Sequence, residues 1–301
     1  MGKKHEEPQS IRERGFLTNF IQTAPWRAIK TIKRFVLSYR QLNWRNRRLP
    51  DFIIIGAMKS GTTSLHRYLN QHPQIMPCYE KEVHFFDGGL IPDVDNYKKG
   101  LPWYQAHFPL KQSGEDDKKT FEASPLYIFN PLAPGRIAEY VPDVKLIMLL
   151  RNPVNRAVSH YFHEKRKGRE PLSMMEALLA EEKRLKTIIA NEDYKNHTYV
   201  HYSYKSRGLY YEQIKRYLNY FPMDKMLMIN SESLFDEPEN ALRRVFEFVG
   251  IDAELKIDNL KPHNVAINKT TIDPAVHEYL NHYFYPHNQA LYKLVGEDYG
   301  W

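Results

Sequence analysis

The sequence predicts an α/β protein with a P-loop-like first turn, in which helices cover both faces of a parallel sheet and so form three layers. Apolar or β-branched runs alternate with helical patterns through most of the 301 residues, as they do in chains that build parallel sheets. The run VKLIMLL at residues 144–150 is almost continuously apolar, which is typical of a strand buried on both faces. The run III at 53–55 leads through glycine into a small-residue loop and a helical pattern.

The predicted elements follow one another in a regular order. Strands are predicted at residues 51–56, 120–123, 144–150 and 226–230. A helix is expected directly after Arg151-Asn152-Pro153, and others are predicted at about 62–72, 133–140, 173–190, 209–220, 239–249, 274–285 and 287–295. Ser173 and Glu176 form a capping-box pattern, and Gly250 is a helix stop. Residues 72–77 are predicted as a turn, and the tyrosine-rich stretch 191–206 as a loop beside the site.

Residues 1–49 are predicted to form a basic, aromatic extension, and residues 50–301 the main domain. The apolar residues that recur at helical spacing in the extension are Ile29, Ile32, Val36 and Tyr39. A basic amphipathic helix can lie on an anionic membrane surface, so residues 1–48 are a candidate for peripheral membrane contact. The same stripe could instead pack against the domain, and the sequence leaves both interpretations open.

The composition favours anionic partners, because the formal net charge is +7 and the pI is about 9.1. A nucleotide cofactor, an acidic glycan or a membrane surface would fit this charge, and no nucleic acid is expected. The single cysteine, Cys78, excludes an internal disulfide and fits a reducing compartment. We find no run of 18 apolar residues and no signal-peptide core near residue 1, so a cytoplasmic location is expected, with peripheral membrane contact left open.

The loop after the first strand, GAMKSGTTS at residues 56–64, has the features of a phosphate cradle. Its two glycines allow a sharp turn and a close approach to a ligand. The hydroxyl residues open a helix, where free N–H groups and the helix dipole favour an anion. In nucleotide-triphosphate loops the lysine follows the second glycine, whereas Lys59 precedes Gly61 here. The candidate phosphate-binding residues are Lys59, Ser60, Gly61, Thr62, Thr63 and Ser64.

The segment KEVHFFD at residues 81–87 is the second candidate for chemistry. Charged and apolar residues alternate in it, so a strand would place Glu82 and His84 on one face. A carboxylate there could act as a general base on a bound hydroxyl or amine. His84 is a less direct candidate, since a histidine between apolar residues often has only a structural hydrogen bond.

Four segments in this order resemble the family of sulfotransferases that use 3′-phosphoadenosine 5′-phosphosulfate (PAPS), closest to the heparan-sulfate type that sulfates glycans. GAMKSGTTSL is similar to the family's 5′-phosphosulfate loop. LIMLLRNPVNRAVSHY is similar to its 3′-phosphate motif, and KEVHFFD to the segment with its catalytic glutamate. NYKKGLPWYQAHFP resembles a stretch of the N-sulfotransferase branch. The resemblance covers about residues 50–301 and implies the sulfotransferase fold.

The resemblance also implies roles for single residues. Lys59 would assist the bridging oxygen of the leaving phosphate, and the loop hydroxyls would hold the 5′-phosphate. Arg151 and Ser159 would hold the 3′-phosphate, and Glu82 would be the general base, with His84 beside it. Lys269, in a late loop, would contact PAPS. The reaction would release 3′-phosphoadenosine 5′-phosphate (PAP) and need no metal; the pair His160 and His163 is a weak metal signal because no carboxylate accompanies it in the pattern.

Two departures from the family pattern limit this interpretation. Many glycan sulfotransferases have a lysine where this chain has Ala123, so that role would fall to another residue such as Lys81. The late loop HNVAINKT lacks the family's cysteine. The expected acceptor is of carbohydrate type, a glycan or a glycolipid, with a small hydroxylated metabolite left open. The alternatives are a kinase-like phosphotransferase that uses ATP and magnesium, and an inactive nucleotide- or membrane-binding module.

Overall fold

A computed structural model describes residues 26–91, 93–262 and 272–301, with side chains from residue 31 onward. Its centre is a five-stranded sheet in which every neighbouring pair is parallel and the strand order is β2-β3-β1-β4-β5. The strands are β1 (Phe52–Gly56), β2 (Ile75–Met76), β3 (Lys119–Ala123), β4 (Lys145–Leu150) and β5 (Met226–Asn230). The predicted parallel sheet is confirmed, and the short strand β2 lies where a turn was predicted.

Helices lie between and after the strands in the order that a parallel sheet requires. Those of the described residues are α1 (Trp26–Gln41), α2 (Thr62–Leu69), α3 (Gly100–Gln105), α4 (Ala133–Tyr140), α5 (Pro153–Arg166), α6 (Met174–Ala190), α7 (His197–Tyr202), α8 (Tyr210–Leu218), α9 (Ser231–Asp236), α10 (Pro238–Val249) and α11 (Pro274–Val295).

Alternate residues of each strand face opposite layers, because strand side chains alternate between the two faces. Ile53 and Ile55 of β1 belong to a core cluster with helices α4 and α8. Phe52 and Ile54 belong to a second cluster with α2 and α10. The sheet is therefore the middle layer of three, as predicted.

Two helix predictions differ from the structure. Helix α11 runs unbroken through Pro286, where two helices were predicted, and its buried residues lie on both sides of the proline. Helix α7 lies within the stretch predicted as a loop. The capping box of Ser173 and Glu176 and the left-handed C-cap Gly250 of α10 are both present.

The end of the N-terminal extension is attached to the domain through arginines. Arg40 of α1 donates to the backbone oxygens of Ala106 and Phe108, at 2.6 and 2.8 Å. Arg47 donates to the same Phe108 oxygen, and Arg48 to the backbone oxygens of Glu115 and Lys118. Among the described residues no helix is long and apolar enough to cross a membrane.

Candidate active site

The predicted phosphate loop lies at the carboxyl end of β1, where ligands bind in open parallel sheets. Gly61 has a φ of 90°, and a Cβ there would lie 2.8 Å from the ring of Phe235. A Cβ on Gly56 would lie 2.3 Å from Ile128. Both positions therefore require glycine, and they let the chain turn directly from β1 into helix α2. Ser60, Thr62 and Ser64 are buried at this turn.

Arg151, at the end of β4, meets this loop directly. Its Nη1 donates to the backbone oxygen of Lys59 at 3.0 Å. Tyr210 of α8 donates its hydroxyl to the backbone oxygen of Arg151 at 3.0 Å, which fixes the residue from the other side. The two predicted phosphate-binding elements, separated by about ninety residues in the chain, therefore share one position in the fold.

Positive charge is concentrated around Lys59. Burial lowers the pKa of the Lys59 amine, and the charges of Arg166, Arg151 and Lys167 lower it further. The nearby carboxylate of Glu164 offsets this only in part, because it also accepts from Arg169 at 2.9 Å. We call Lys59, Arg151, Arg166 and Lys167 the cationic cluster. Cations that repel one another at close range form a favourable site for a polyanion.

Helix α5 adds buried polar groups next to this cluster. Ser159 is buried on α5, and Arg156 on the same helix is fully buried. Arg156 donates from Nη2 to the backbone oxygen of Tyr204, whereas its Nε and Nη1 have no hydrogen-bond partner among the described residues. Buried donors without partners are rare, so two such donors on a guanidinium fit a site for an anionic ligand.

Arg207 is a further cation at the loop, and the sequence analysis did not identify it. It is buried, and its Nη1 lies 3.8 Å from the sulfur of Met58, a loop residue between Gly56 and Gly61 in the sequence. Burial lowers its pKa to about 10, with a contribution from the charge of Arg156. The signal that could have found Arg207 was its position directly after the tyrosine-rich stretch 191–206, which was predicted to lie beside the site.

The KEVHFFD segment comes after β2 in the chain and lies as irregular backbone beside the carboxyl end of β3, so the strand predicted there is wrong. Glu82 and His84 both have left-handed backbone, with φ of 62° and 52°. The backbone N–H of Glu82 donates to the oxygen of Ala123 at 3.2 Å, and that of His84 to Ser124 Oγ at 3.2 Å. Because β3 is next to β1, this segment lies at the same edge of the sheet as the phosphate loop.

Glu82 and His84 lie side by side despite the absence of a strand. His84 Nε2 is 3.6 Å from Glu82 Oε2, and Lys81 Nζ contacts Glu82 Oε1. On its other side His84 Nδ1 is 2.6 Å from Oδ2 of Asp87, a buried residue that the sequence analysis did not select. The position of Asp87 three residues after His84 in KEVHFFD was the signal that could have identified Asp87 as a site residue. The four residues form a continuous chain of charges.

The charges in this chain shift the pKa values in opposite directions. Burial favours the neutral ring of His84, but the charge and hydrogen bond of Asp87 outweigh burial and raise the pKa of His84 to about 10. Burial disfavours ionised Glu82, but the hydrogen bond to His84 and the charge of Lys81 outweigh it and lower the pKa of Glu82 to about 2. At neutral pH an imidazolium therefore lies between two carboxylates.

A buried carboxyl group is linked by hydrogen bonds to the KEVHFFD segment. Glu122 of β3 accepts from the hydroxyls of Tyr104 at 2.7 Å, Ser124 at 3.0 Å and Tyr127 at 3.2 Å. Ser124 in turn accepts from the N–H of His84, and Tyr127 from that of Phe85 at 2.8 Å. The hydroxyls of Ser124 and Tyr127 therefore link Glu122 to the backbone of the segment that contains Glu82 and His84.

A cleft of about 410 Å³ opens in front of Glu82 and His84. It has room for part of an acceptor molecule next to the candidate base. Its lining residues come from residues 80–84 and from the following loop and helix, namely Glu80, Lys81, Glu82, Val83, His84, Gly89, Leu90, Ile91, Val94, Asn96 and Trp103.

The remaining candidates from the sequence are Lys269, predicted to contact PAPS, and the histidine pair His160 and His163. Lys269 lies outside the described residues. His160 and His163 do have a carboxylate neighbour, which corrects the sequence interpretation: their Nε2 atoms are 3.9 and 3.8 Å from Glu164. Within the described part of the chain, no three metal-ligating side chains are grouped closely enough to hold an ion.

Comparisons with known proteins agree on one family. A family model described as the sulfotransferase domain matches residues 49–281. A membrane-associated sulfotransferase of Dictyostelium discoideum is 30% identical over 84% of this chain and 66% of its own length. Heparan sulfate glucosamine 3-O-sulfotransferase 3B1 of Mus musculus is 30% identical over 85% of this chain and 66% of its own length. The chain thus spans about two thirds of the length of these relatives.

One solved structure has both the fold and an appreciable sequence identity. The crystal structure of a sulfotransferase from Alicyclobacillus acidocaldarius is 31% identical to this chain, with a TM-score of 0.63. The match covers 83% of this chain and 97% of that one.

Proposed function

We propose that this chain, which belongs to the sulfotransferase family, transfers a sulfuryl group from PAPS to a hydroxyl or amine of a carbohydrate-type acceptor and releases PAP. The observation that carries the proposal is the contact of Arg151 with the backbone of Lys59, 3.0 Å long. This contact joins the candidate 3′-phosphate residue to the candidate 5′-phosphate loop. A nucleotide with phosphates at both positions requires that these two groups lie close together.

The donor would bind on the cationic side of the site. The N–H groups and hydroxyls of residues 60–64 would hold the 5′-phosphate at the start of α2, and Arg151 with Ser159 would hold the 3′-phosphate. Arg156 Nε and Nη1, buried on the same helix and without a hydrogen-bond partner in the described part of the chain, would add donors to the same anion site. The lowered pKa of Lys59 makes its ammonium a good proton donor toward the bridging oxygen that becomes negative as PAP leaves.

The acceptor would bind in the cleft in front of Glu82. As the acceptor oxygen attacks sulfur, the bond from sulfur to the bridging oxygen of PAPS breaks, and the acceptor proton passes to the Glu82 carboxylate. Glu82 is ionised before reaction because its pKa is about 2. An acceptor that covers Glu82 would raise this low pKa, because burial disfavours the charged form. Lys81, which contacts Glu82, would supply the role of the lysine that many glycan sulfotransferases have where this chain has Ala123.

Sulfur-labelled PAPS, presented with a panel of glycans and glycolipids, tests this proposal. We expect label to appear in at least one acceptor and PAP to form in equal amount. The kinase-like alternative is tested in the same assay with γ-labelled ATP and magnesium. Transfer from ATP but not from PAPS would overturn the proposal, and binding of PAP without turnover on any acceptor would favour the inactive module.

We further propose that α1 and the turn after it contact a membrane surface. The stripe Ile32, Phe35, Tyr39 and Leu42 is exposed, with Phe35 and Leu42 at 75% and 81% of their full accessible area. This face differs from the predicted one, because Val36 is half-buried and the side chain of Ile29 lies outside the described residues. Arg34 of the same helix is exposed, so apolar and cationic groups of α1 could act together on an anionic bilayer. The single cysteine still favours a reducing, cytoplasmic side of that membrane.

The double substitution Phe35→Ser and Leu42→Ser tests this contact while leaving the anchoring arginines in place. Co-sedimentation with vesicles of phosphatidylcholine and phosphatidylglycerol should fall strongly, and PAP affinity should not change. Leu179→Ser, at an exposed leucine of α6, is the matched control. Undiminished vesicle binding by the double variant would contradict a role for the stripe.

A further inference from the structure

The cleft in front of Glu82 has an apolar wall that the sulfuryl chemistry does not use. Leu90 and Ile91 are 49% and 55% exposed, and Val94 beside them is also exposed. Trp103 closes the cleft on another side. Apolar residues grouped on a surface and bordered by polar ones are a common mark of a binding site, and here they adjoin the proposed base.

The charged residues of the cleft are already paired with one another or with neighbours. Lys81 contacts Glu82, and His84 is bonded to Asp87. Glu80 pairs with Lys33 of α1 at 3.2 Å. The lining has two carboxylates against one lysine and one histidine, so it offers no excess of positive charge to a polyanionic chain.

Two lysines lie at the rim, where their own contacts hold them. Lys99 donates to Asn96 Oδ1 at 2.6 Å and lies 4.4 Å from the centre of the Trp103 ring. Lys195 donates to the backbone oxygen of Val94 at 2.7 Å. Cations at the rim of an apolar wall suit a molecule with a polar head and an apolar chain next to an anionic surface.

We propose that the acceptor is an amphiphile of the glycolipid type, with an uncharged sugar head at Glu82 and an apolar chain along Leu90, Ile91 and Val94. The inference rests on the proposed function, since it assigns the acceptor to the same site. It differs from acceptance of heparan sulfate, the substrate for which the Mus musculus relative is named.

The position of α1 supports this assignment. The ion pair of Lys33 with Glu80 brings the helix to the rim of the cleft, and Arg40 of the same helix lies 5.0 Å from the ring of Tyr79. Helix α1 and the cleft therefore belong to neighbouring parts of the surface. A protein that rests on a bilayer through the stripe would reach a sugar head that the bilayer presents.

Binding of alkyl glucosides to the PAP-loaded protein tests the inference without knowledge of the natural sugar. Isothermal titration would compare methyl, hexyl and octyl glucoside below their micelle concentrations, and a heparin-derived tetrasaccharide as the polyanionic probe. We expect affinity to rise roughly tenfold for every two methylenes that the wall covers. The double substitution Leu90→Asn and Ile91→Asn should lower the affinity for octyl glucoside by at least about tenfold, the contribution of two covered methylenes, while methyl glucoside binding stays the same.

Two control variants separate the cleft from other apolar surface. Leu179→Asn on α6 and Phe35→Ser on α1 should both retain the gain with chain length. Equal affinity for methyl and octyl glucoside would overturn the inference, and so would tight tetrasaccharide binding that displaces octyl glucoside. If PAP itself does not bind, the proposed function fails; if PAP binds and chain length has no effect, only the acceptor class is wrong.

Discussion

Three of the predicted catalytic residues share an uncommon backbone conformation. Among the described residues, four that are not glycine have positive φ, and Lys59, Glu82 and His84 are three of them. Such residues cost on the order of 1–3 kcal/mol each unless their surroundings hold them, and they concentrate at functional sites. His84 is held from two sides, by Ser124 at its N–H and by Asn96 at its oxygen, 3.0 Å away. The fold therefore maintains strain at the three residues that are proposed to carry the chemistry.

Glu82→Gln tests the base assignment, because it keeps the shape of the side chain and removes its basicity. We expect kcat to fall by about 10²–10⁴-fold, the usual contribution of general base catalysis, while PAP affinity stays within a few-fold. The measurement is kcat beside a PAP titration of the same protein. Near-normal turnover would assign the base to another group, with His84 the first candidate, and a loss of PAP binding would make Glu82 structural.

Asp87→Asn tests the charge state of His84. Without the carboxylate, only Glu82 still opposes the effect of burial, so the pKa of His84 should fall from about 10 toward neutrality. The imidazolium then loses its proton as the pH rises through neutrality, and kcat should fall over that range, whereas the wild-type protein should stay level to about pH 9. Titration of the His84 ring by NMR, assigned with His84→Asn, reads the pKa directly. An unchanged pKa would contradict the role given to Asp87.

The raised pKa of His84 in the unmodified protein also sets the direction in which its contribution to stability depends on pH. The folded pKa of His84 is raised above its unfolded value of about 6.5. The stabilisation is therefore complete below about pH 6.5 and is lost as the pH rises through about 10. The lowered pKa of Glu82 acts in the opposite direction, with stabilisation lost as the pH falls toward about 2.

At the scale of elements, the segment of residues 81–87 depends on β3 for its conformation. The alternation of charged and apolar residues predicted a strand there. In the structure the backbone N–H groups of the segment bond to hydroxyls of Ser124 and Tyr127, about forty residues later in the chain. Contacts so distant in sequence are not visible in a local pattern. The sequence could therefore predict that Glu82 and His84 lie close together, but not the backbone conformation that brings them together.

Tyr127→Phe tests how firmly Glu122 and its hydroxyls hold this segment. The change leaves the buried N–H of Phe85 without its acceptor, which should lower the free energy of unfolding by about 1–3 kcal/mol. We also expect kcat to fall more than PAP affinity, since the hydrogen bonds of the Tyr127 hydroxyl among the described residues go to Glu122 and the KEVHFFD segment and not to the phosphate loop. Urea unfolding and steady-state kinetics check the two effects.

The control for this change is Tyr220→Phe, at a tyrosine that is largely exposed. It should leave both the unfolding free energy and kcat close to their original values. Equal losses in the two variants, or a fall in PAP affinity as large as the fall in kcat, would contradict a specific role for Tyr127.

Local patterns predicted most other elements well, for physical reasons. Strands β1, β4 and β5 are buried apolar runs, and Ser173 and Gly250 mark helix ends by their own chemistry. Strand β2 has only two residues and exists through its pairing with β3, so its sequence has little strand character. Pro286 normally ends a helix, but α11 continues because Phe284 and Leu291 are buried on either side of it.

At the scale of the whole molecule, the parallel sheet brings the two halves of the site together. Strands β3, β1 and β4 are neighbours, and their carboxyl ends present Glu82, the phosphate loop and Arg151 along one edge. The order of motifs in the sequence was sufficient to predict this edge. Arg156, Arg207 and Glu122 were not predicted, because their burial and their partners arise only when distant segments pack.

The distribution of charge over the molecule separates donor from acceptor. The cationic cluster lies with the phosphate loop, where the pKa of Lys59 is lowered by its neighbours, and the cleft beyond Glu82 has its charges paired. A polyanionic donor and an uncharged acceptor head would therefore approach one reaction centre from different electrostatic environments. A basic pI is therefore compatible with an acceptor that is not acidic.

The most direct test of the central claim, that this site binds a nucleotide with phosphates at both the 3′ and 5′ positions, is a calorimetric comparison of PAP with ADP. The 3′-phosphate should make charge-assisted hydrogen bonds with Arg151 and Ser159 of about 1.5–3 kcal/mol each, so PAP should bind at least roughly tenfold more tightly than ADP. Arg151→Gln should remove most of that preference, and Arg243→Gln, at an exposed ion pair with Glu254, should leave it intact. Equal affinity of the unmodified protein for PAP and ADP would contradict the account.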